Sequence, residues 1–227
     1  MSNFFDVSFY IQAVSLLKKM FPNFSRTRIC VCVVIALVTA ACSSNVTKIE
    51  RYGLKFMEEA PASWRPSTSS NSTASAKTIV VYPIRLPSYL YTPSIVSRTK
   101  THKVIASRGH VWVGDLESEV TRVLGANLLL LLPQNPVLRL PWGHNIEADY
   151  SIRISVDELS GERGGEVVLK AQWQIFSSES AGNATKISSL AFKEQTLSES
   201  YDDYVAALNR LIEKLSLTLA SEVQLIL

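Results

Sequence analysis

Apolar residues recur at three- or four-residue spacing in two long segments of the chain. The first segment follows Asp115, and its apolar positions are Leu116, Val120, Val123, Leu124, Leu128 and Leu131. The second follows Ser200, and its apolar positions are Tyr204, Val205, Leu208, Leu211, Ile212, Leu215, Leu219 and Val223. This spacing places the apolar side chains on one face, so each segment is predicted to be an amphipathic helix.

Start and stop signals support both helices. Asp115, Glu117 and Glu119 lie in the first turn of the first helix, where the helix dipole favours negative charge. Pro133 lacks the backbone N–H that a continuing helix needs, so it ends this helix. The second helix begins at the sequence SYDD at 200–203, an acidic variant of the capping box.

β-Strands are predicted in the other apolar segments. Residues 148–159 alternate apolar and polar positions, which is typical of a half-buried strand. Four other segments are predicted to hold a short strand (46–57), a buried strand (78–87) and two further strands of a meander (166–176 and 187–197). A hairpin is predicted over 103–113, with Ser107-Arg108-Gly109 at its turn. The predicted class is α+β: an antiparallel sheet with the two amphipathic helices packed on one face.

These elements are predicted to form a single domain over residues 46–227. Within it, residues 58–77 are rich in Ser, Ala, Thr and Pro. That composition buries too little apolar surface to fold, so a flexible loop is predicted there. Trp64 is the one residue of this loop expected to be able to dock on the domain.

The first 41 residues have the pattern of a signal peptide. Thirteen uncharged residues run from Ile29 to Ala41, fewer than the roughly 20 that a spanning helix needs and typical of a signal h-region. The segment before Ile29 is long for the basic region of a signal. Residues from Met20 onward already form a complete signal, so Met20 is favoured over Met1 as the true start. The alternative is an extra interfacial amphipathic helix at 4–21.

Cys42 closes this leader in a sequence that resembles the bacterial lipobox. Two alanines stand directly before it, with Thr39 where leucine is usual. A thiol takes a diacylglyceryl group as a thioether, and cleavage frees the amino group for a further acyl chain such as palmitate. Two or more chains anchor a protein stably, so residues 42–45 are predicted to be a lipidated N-terminus, and Ser43 favours the outer membrane. An ordinary signal with an incidental cysteine is the alternative.

Charge and metal-ligand content narrow the function classes. Residues 1–41 hold four of the 23 basic and one of the 20 acidic residues, so 19 of each remain and the rest of the chain is neutral. A neutral chain without a basic cluster gives no reason to expect nucleic-acid binding. His102, His110 and His144 are too scattered for a zinc site, so no metal and no cofactor is expected.

One short motif leaves an enzymatic alternative open. Ser97 and Lys100 match S-x-x-K, the nucleophile motif of penicillin-binding enzymes. The partner motifs Lys-Thr-Gly and Ser-Asp-Asn do not follow it. A chance match is therefore favoured over a periplasmic serine enzyme of cell-wall metabolism. A lipid carrier with its own apolar cavity is a third possibility.

Apolar residues beside prolines are the candidate contact residues for a partner or a lipid. Leu86, Tyr89 and Leu90 lie around Pro87 and before Pro93, where the chain is expected to leave a sheet. Rigid apolar and aromatic groups of this kind are enriched at protein interfaces. Trp112, directly before the first helix, is added to the set. The alternative is that the loop folds back on its own domain, and for Trp173 on its strand a core position is favoured.

The order of these motifs resembles the PqiC/YmbA family, the ABC-type transport auxiliary lipoproteins of Gram-negative bacteria. The matching pieces are the lipobox, RYGL, VYPIRLPSYLYTPSIVSR, HVWVGDLESEVTRVLGANL, YSIRISVDEL, LKAQWQIF and YVAALNRLIEKLS. Tyr91 and Thr92 stand where the family usually has Asp and Arg, and Val113-Gly114-Asp115 replaces its usual Ala-Glu-Pro.

The resemblance implies a non-enzymatic role. Members of the family are lipid-anchored at the periplasmic face of the outer membrane. They work with MCE-domain proteins, which form lipid conduits, and a homo-oligomer is also consistent with the resemblance. The implied function is that of an accessory lipoprotein of an MCE-type, Pqi-like intermembrane lipid transport system, acting by docking partners.

Replacement of the lipidation site gives the first prediction. Cys42→Ala removes the thiol that would carry the lipid, so the variant should be released from the outer membrane. Membrane fractionation of cells measures this release. A variant that stays fully membrane-bound would contradict the lipoprotein assignment.

Overall fold

Residues 48–65, 76–140, 147–180 and 182–227 are described by the computed structural model of the protein. The predicted signal peptide and Cys42 lie outside them. The elements formed within these ranges are β1 Glu50–Tyr52, β2 Ile79–Val81, β3 Ser94–Arg98, β4 Val104–Trp112, α1 Leu116–Leu131, β5 Val137–Arg139, β6 Tyr150–Gly161, β7 Glu166–Ser177, β8 Ala184–Gln195 and α2 Tyr201–Gln224. The α+β class is confirmed.

The larger of two sheets has the strand order β5-β2-β6-β7-β8. β6, β7 and β8 form the antiparallel meander that the alternating pattern predicts. β2 is parallel to both of its neighbours, with Val80 opposite Leu138 and Ser151. Neither β5 nor these parallel pairings were predicted, because a three-residue strand is too short to show a period.

The smaller sheet has the order β1-β4-β3, with β1 parallel and β3 antiparallel to β4. The hairpin turn predicted at Ser107-Arg108-Gly109 is wrong, because these residues lie inside β4. The chain reverses earlier, where the N–H of Thr99 donates to the carbonyl of Lys103 at 2.9 Å. Ser107 Oγ accepts the N–H groups of the two residues after Arg108, which supports an irregular stretch of β4 without a reversal.

Both helices begin at the predicted caps. The side chain of Asp115 accepts the N–H of Ser118 at 2.8 Å, and that of Ser200 accepts the N–H of Asp203 at 3.1 Å. Each cap satisfies an N–H group that the first turn leaves without a helical partner. α2 packs on β7 and β8, and α1 packs on α2 and β5. The predicted apolar faces of both helices are buried.

The segment after β1 is bound to both helices. The N–H of Met57 donates to Asn127 Oδ1 of α1 at 2.8 Å, and the N–H of Lys55 donates to Asn209 Oδ1 of α2 at 3.0 Å. Farther along, Trp64 Nε1 donates to the carbonyl of Leu131 at 3.0 Å. Trp64 therefore docks at the end of α1, within the described part of the segment predicted as a flexible loop. The central part of that segment, 66–75, lies outside the described residues.

One phenol joins α2 to both sheets. Tyr204 is completely buried, and its hydroxyl donates to the carbonyl of Val96 in β3 at 2.9 Å. The same oxygen accepts the N–H of Gly161 in β6 at 3.2 Å. Burial raises the pKa of Tyr204 well above its ordinary value, so the phenol is held in its neutral form.

Removal of this hydroxyl gives a stability prediction. Tyr204→Phe leaves the Val96 carbonyl and the Gly161 N–H without their partner, which should lower the free energy of unfolding by about 1–3 kcal/mol. Urea unfolding followed by circular dichroism measures the change. Tyr91→Phe is the matched control, because its hydroxyl is exposed and bonds to the carboxylate of Glu117, and its effect should stay within about 0.5 kcal/mol. Equal effects of the two substitutions would contradict the joining role.

Candidate partner-binding surface

The Pro-bracketed loop turns its leucines into the core. Leu86 is buried, as is Ile84 two residues before it, with the exposed Arg85 between them. Pro87 has a φ of −61° and begins a single 3-10 turn over Ser88–Leu90, and this turn directs Leu90 inward, leaving 4% of it exposed. The expectation that Leu86 and Leu90 lie exposed for a partner is therefore wrong, because the alternation over residues 84–86 and the tight turn return both side chains to their own domain.

Tyr89 is half-buried against β6. Its hydroxyl accepts the N–H of Leu159 and contacts Ser160 Oγ, both at 3.4 Å. The guanidinium carbon of Arg98 lies 5.3 Å from the centre of its ring. These contacts hold the loop on its own domain, which was the alternative to a loop exposed for a partner.

Trp112 is buried at the end of β4, and Pro93 is exposed beside it. The N–H of Trp112 donates to the carbonyl of Pro93 at 2.7 Å, which connects the loop to the start of α1. Trp173 is also buried, and its Nε1 donates to the carboxylate of Glu222 at 2.6 Å. The core position favoured for Trp173 is confirmed.

Two apolar side chains beside this loop remain exposed. Tyr91 is 56% exposed and Val113 is 65% exposed. The Tyr91 hydroxyl donates to a carboxylate oxygen of Glu117, and this hydrogen bond raises the pKa of Tyr91. We call Tyr91, Pro93, Val113 and Glu117 the Tyr91–Val113 surface. It is the exposed apolar area nearest in the chain to the predicted contact residues.

Three of the predicted contact residues, Leu86, Leu90 and Trp112, are buried. They were selected as rigid apolar and aromatic groups beside prolines or directly before a helix, although large apolar groups near strand ends are more often core residues. The usable signal was the departure from the family pattern. Tyr91 and Val113 stand at positions where the family usually has Asp and Ala, and both side chains are exposed.

The Ser97–Lys100 pair is not assembled as a catalytic pair. Ser97 is buried in β3, and Lys100 lies in the turn that follows, with Nζ 3.6 Å from a carboxylate oxygen of Glu162. No hydrogen bond joins Ser97 to Lys100 within the described part of the chain. A lysine can activate a serine only within hydrogen-bonding reach, so this geometry gives no support to the serine-enzyme alternative.

His110 belongs to an aromatic cluster between β1, β4 and α2. Its ring stacks on Tyr201 at 3.8 Å between centroids, and Nδ1 lies 2.9 Å from the hydroxyl of Tyr52. The pKa of Tyr52 is raised to about 12, mainly by burial and also by a hydrogen bond to Glu50. His102 lies in the turn between β3 and β4 with a φ of 66°. In the ranges that the structure describes, no three His, Cys, Asp or Glu side chains come together as a metal site.

The membrane anchor would precede this folded region. The described chain begins at Lys48, six positions after Cys42. Among the helices described, none is both long enough and apolar enough to cross a membrane.

A sequence model of one protein family, the ABC-type transport auxiliary lipoprotein component, matches residues 62–220. The chain belongs to this family. The match includes the loop, the Tyr91–Val113 surface, α1, α2 up to residue 220 and the whole larger sheet. Membership makes the protein an auxiliary lipoprotein component of a transport system, which indicates attachment to a membrane and a transporter as partner.

Solved structures share the fold at low sequence identity. An uncharacterised protein aligns with a TM-score of 0.61 at 19% identity, over 78% of this chain and 99% of its own. Protein XCC0632 from Xanthomonas campestris, of the DUF330 family, aligns with a TM-score of 0.62 at 13% identity, over 78% of this chain and 95% of its own. At these identities the likeness shows the fold alone. No curated protein matches the chain.

Truncation of two neighbouring residues of the loop should change the stability of the protein by very different amounts. Leu90→Ala removes a buried side chain and should lower the free energy of unfolding by about 3 kcal/mol. Tyr91→Ala removes an exposed side chain and should change it by no more than about 0.5 kcal/mol. Chemical unfolding of both variants measures the difference. A larger loss for Tyr91→Ala than for Leu90→Ala would contradict this assignment of core and surface.

Proposed function

We propose that this protein is an outer-membrane-anchored periplasmic lipoprotein of an MCE-type, Pqi-like intermembrane lipid transport system. It acts by docking partners and carries out no catalysis. The observation that carries this proposal is the family match over residues 62–220. The finer elements, namely the membrane, the partner and the mode of action, rest on separate features of the chain.

Attachment to the outer membrane is supported by the sequence around Cys42. Small residues precede the cysteine directly, and the thioether and amide positions of this one residue can together carry three acyl chains. One chain binds a membrane marginally, whereas two or more bind stably. Ser43 in the next position, in place of Asp, supports sorting to the outer membrane.

A docking role is supported by the Tyr91–Val113 surface. Tyr91 offers a large, rigid side chain whose hydroxyl is already oriented by Glu117. An interface gains from such residues because little side-chain entropy is lost on binding. The surface is held by buried neighbours, Leu90 and Trp112, so a partner would meet a fixed shape. We include self-association into a homo-oligomer in this proposal, because the family resemblance is consistent with it.

Affinity purification of the lipidated protein from membranes tests the proposal. A protein with an MCE domain should be recovered with the wild-type chain, and the mass of the complex should show the number of copies. Val113→Asp puts a charge on the docking surface and should lower recovery of the partner about tenfold, because an unpaired charge at an interface is costly. Leu197→Asp is the matched control at an exposed position before α2.

The outcomes separate the elements of the proposal. Absence of any MCE-domain protein from the wild-type purification would sink the proposed function. Equal recovery with Val113→Asp would remove the surface and leave the function standing. A β-lactam probe that acylates Ser97 would contradict the non-catalytic role.

A further inference from the structure

A cavity of about 510 Å³ lies on the face of the larger sheet that carries the polar side chains of β6 and β7. Its lining includes Arg85, Arg153, Ser155, Gln172 and Gln174. The alternating apolar side chains of β7 point the other way, into the core beneath α2. The cavity is therefore separate from the Tyr91–Val113 surface, which lies beside the smaller sheet.

Arg153 is held between two aromatic rings. Its guanidinium carbon lies 4.9 Å from the ring centre of Tyr82 and 4.8 Å from that of Phe176. Rings on a guanidinium attract its charge and restrict its motion. The N–H donors lie in the guanidinium plane, so an arginine held over rings can still present them to a ligand.

Arg85 is placed on the same face of the sheet. Its backbone pairs with Ser155, which stands two residues after Arg153 along β6. Within the described chain, neither guanidinium takes part in an ion pair or a hydrogen bond. The segments outside the description contain a single acidic residue, Asp6. Two arginines therefore share this cavity, and no carboxylate of the described residues is paired with either of them.

Among the described residues, the lining holds donors and no acidic group. Gln172, Gln174 and Ser155 add amide and hydroxyl groups to the two guanidinium groups. Asp157, farther along β6, does not line the cavity and accepts a hydrogen bond from Gln172 Nε2 at 2.8 Å. Apolar atoms are also present, since Pro83 and the 67%-exposed side chain of Ile187 form part of the wall.

We propose that this cavity binds the phosphate group of a phosphate ester, with Arg85 and Arg153 as its main ligands. A guanidinium fork matches two oxygens of a phosphate, and such charge-assisted pairs are stronger than neutral hydrogen bonds. The cavity is larger than a phosphate ion, so Pro83 and Ile187 would contact the organic part of the ester. This site goes beyond the docking role of the proposed function, and its test requires no transport partner.

Binding to the full-length protein in a neutral detergent tests this site. The probes are dihexanoyl phosphatidylglycerol, glycerol 3-phosphate and inorganic phosphate, each titrated calorimetrically. Tighter binding of the short-chain lipid than of glycerol 3-phosphate would identify a lipid headgroup as the source. Equal binding of the two esters would identify a soluble phosphate ester. Both results support a phosphate site.

Substitution of the arginines locates the binding. Arg85→Gln and Arg153→Gln should each weaken binding of the phosphate ester about tenfold, in line with loss of one charge-assisted pair. Arg108→Gln is the matched control, because it removes the same charge from an exposed position on β4 outside the cavity. Circular dichroism of each variant checks that the fold is intact.

Two results would overturn the phosphate site. The first is that the wild-type protein binds none of the three probes. Binding of an acidic peptide such as polyglutamate, without binding of any of the three probes, counts as the same result. The other is phosphate-ester binding that Arg108→Gln weakens as much as the two cavity substitutions, because the attraction would then be general to the charge of the protein.

Discussion

The hydroxyl of Tyr204 joins the last helix to both sheets of the domain. The sheets share no strand, so side-chain contacts hold them together, and β3 and β6 touch directly, with Arg98 donating to Ser160 Oγ. Tyr204 adds α2 to this contact, since it lies on α2 and bonds to β3 in one sheet and β6 in the other. A buried carbonyl and a buried N–H each find a partner in one oxygen atom, and burial raises the pKa of the phenol so that it remains neutral.

Because the two sheets are held together, the Tyr91–Val113 surface and the basic cavity lie on one folded domain. The smaller sheet ends beside Tyr91 and Val113, where exposed apolar groups suit a protein partner. The larger sheet carries Arg85 and Arg153 on its polar face, where paired donors suit an anionic group. Each surface is supported by buried neighbours, so neither needs to order itself on binding. The proposed docking surface and the basic cavity thus lie on different sheets of the molecule.

Local sequence patterns predicted the helices and most of the strands. The candidate binding sites depend on pairings between strands that are distant in the sequence. Both helices follow from their apolar spacing and from the Asp115 and Ser200 caps. The parallel pairing of β2 with β6 could not be predicted, because three residues show no period. That pairing is what brings Tyr82 beside Arg153, so the basic cavity has no signal in the sequence. The exposure of Leu86 and Leu90 was wrongly predicted because the prolines suggested a projecting loop, whereas a 3-10 turn folds it inward.

The strand order also determines when the chain can fold. β1 pairs with β4 and β2 pairs with β5 and β6, so each early strand waits for a partner about 60 residues or more downstream. The hydrogen bonds of Tyr204 to both sheets form later still, because this residue lies near the end of the chain. Contacts so distant in sequence form slowly, since a long loop must close before any is gained. During synthesis β2 therefore stays unpaired until β5 and β6 have been made, and the last helix completes the fold.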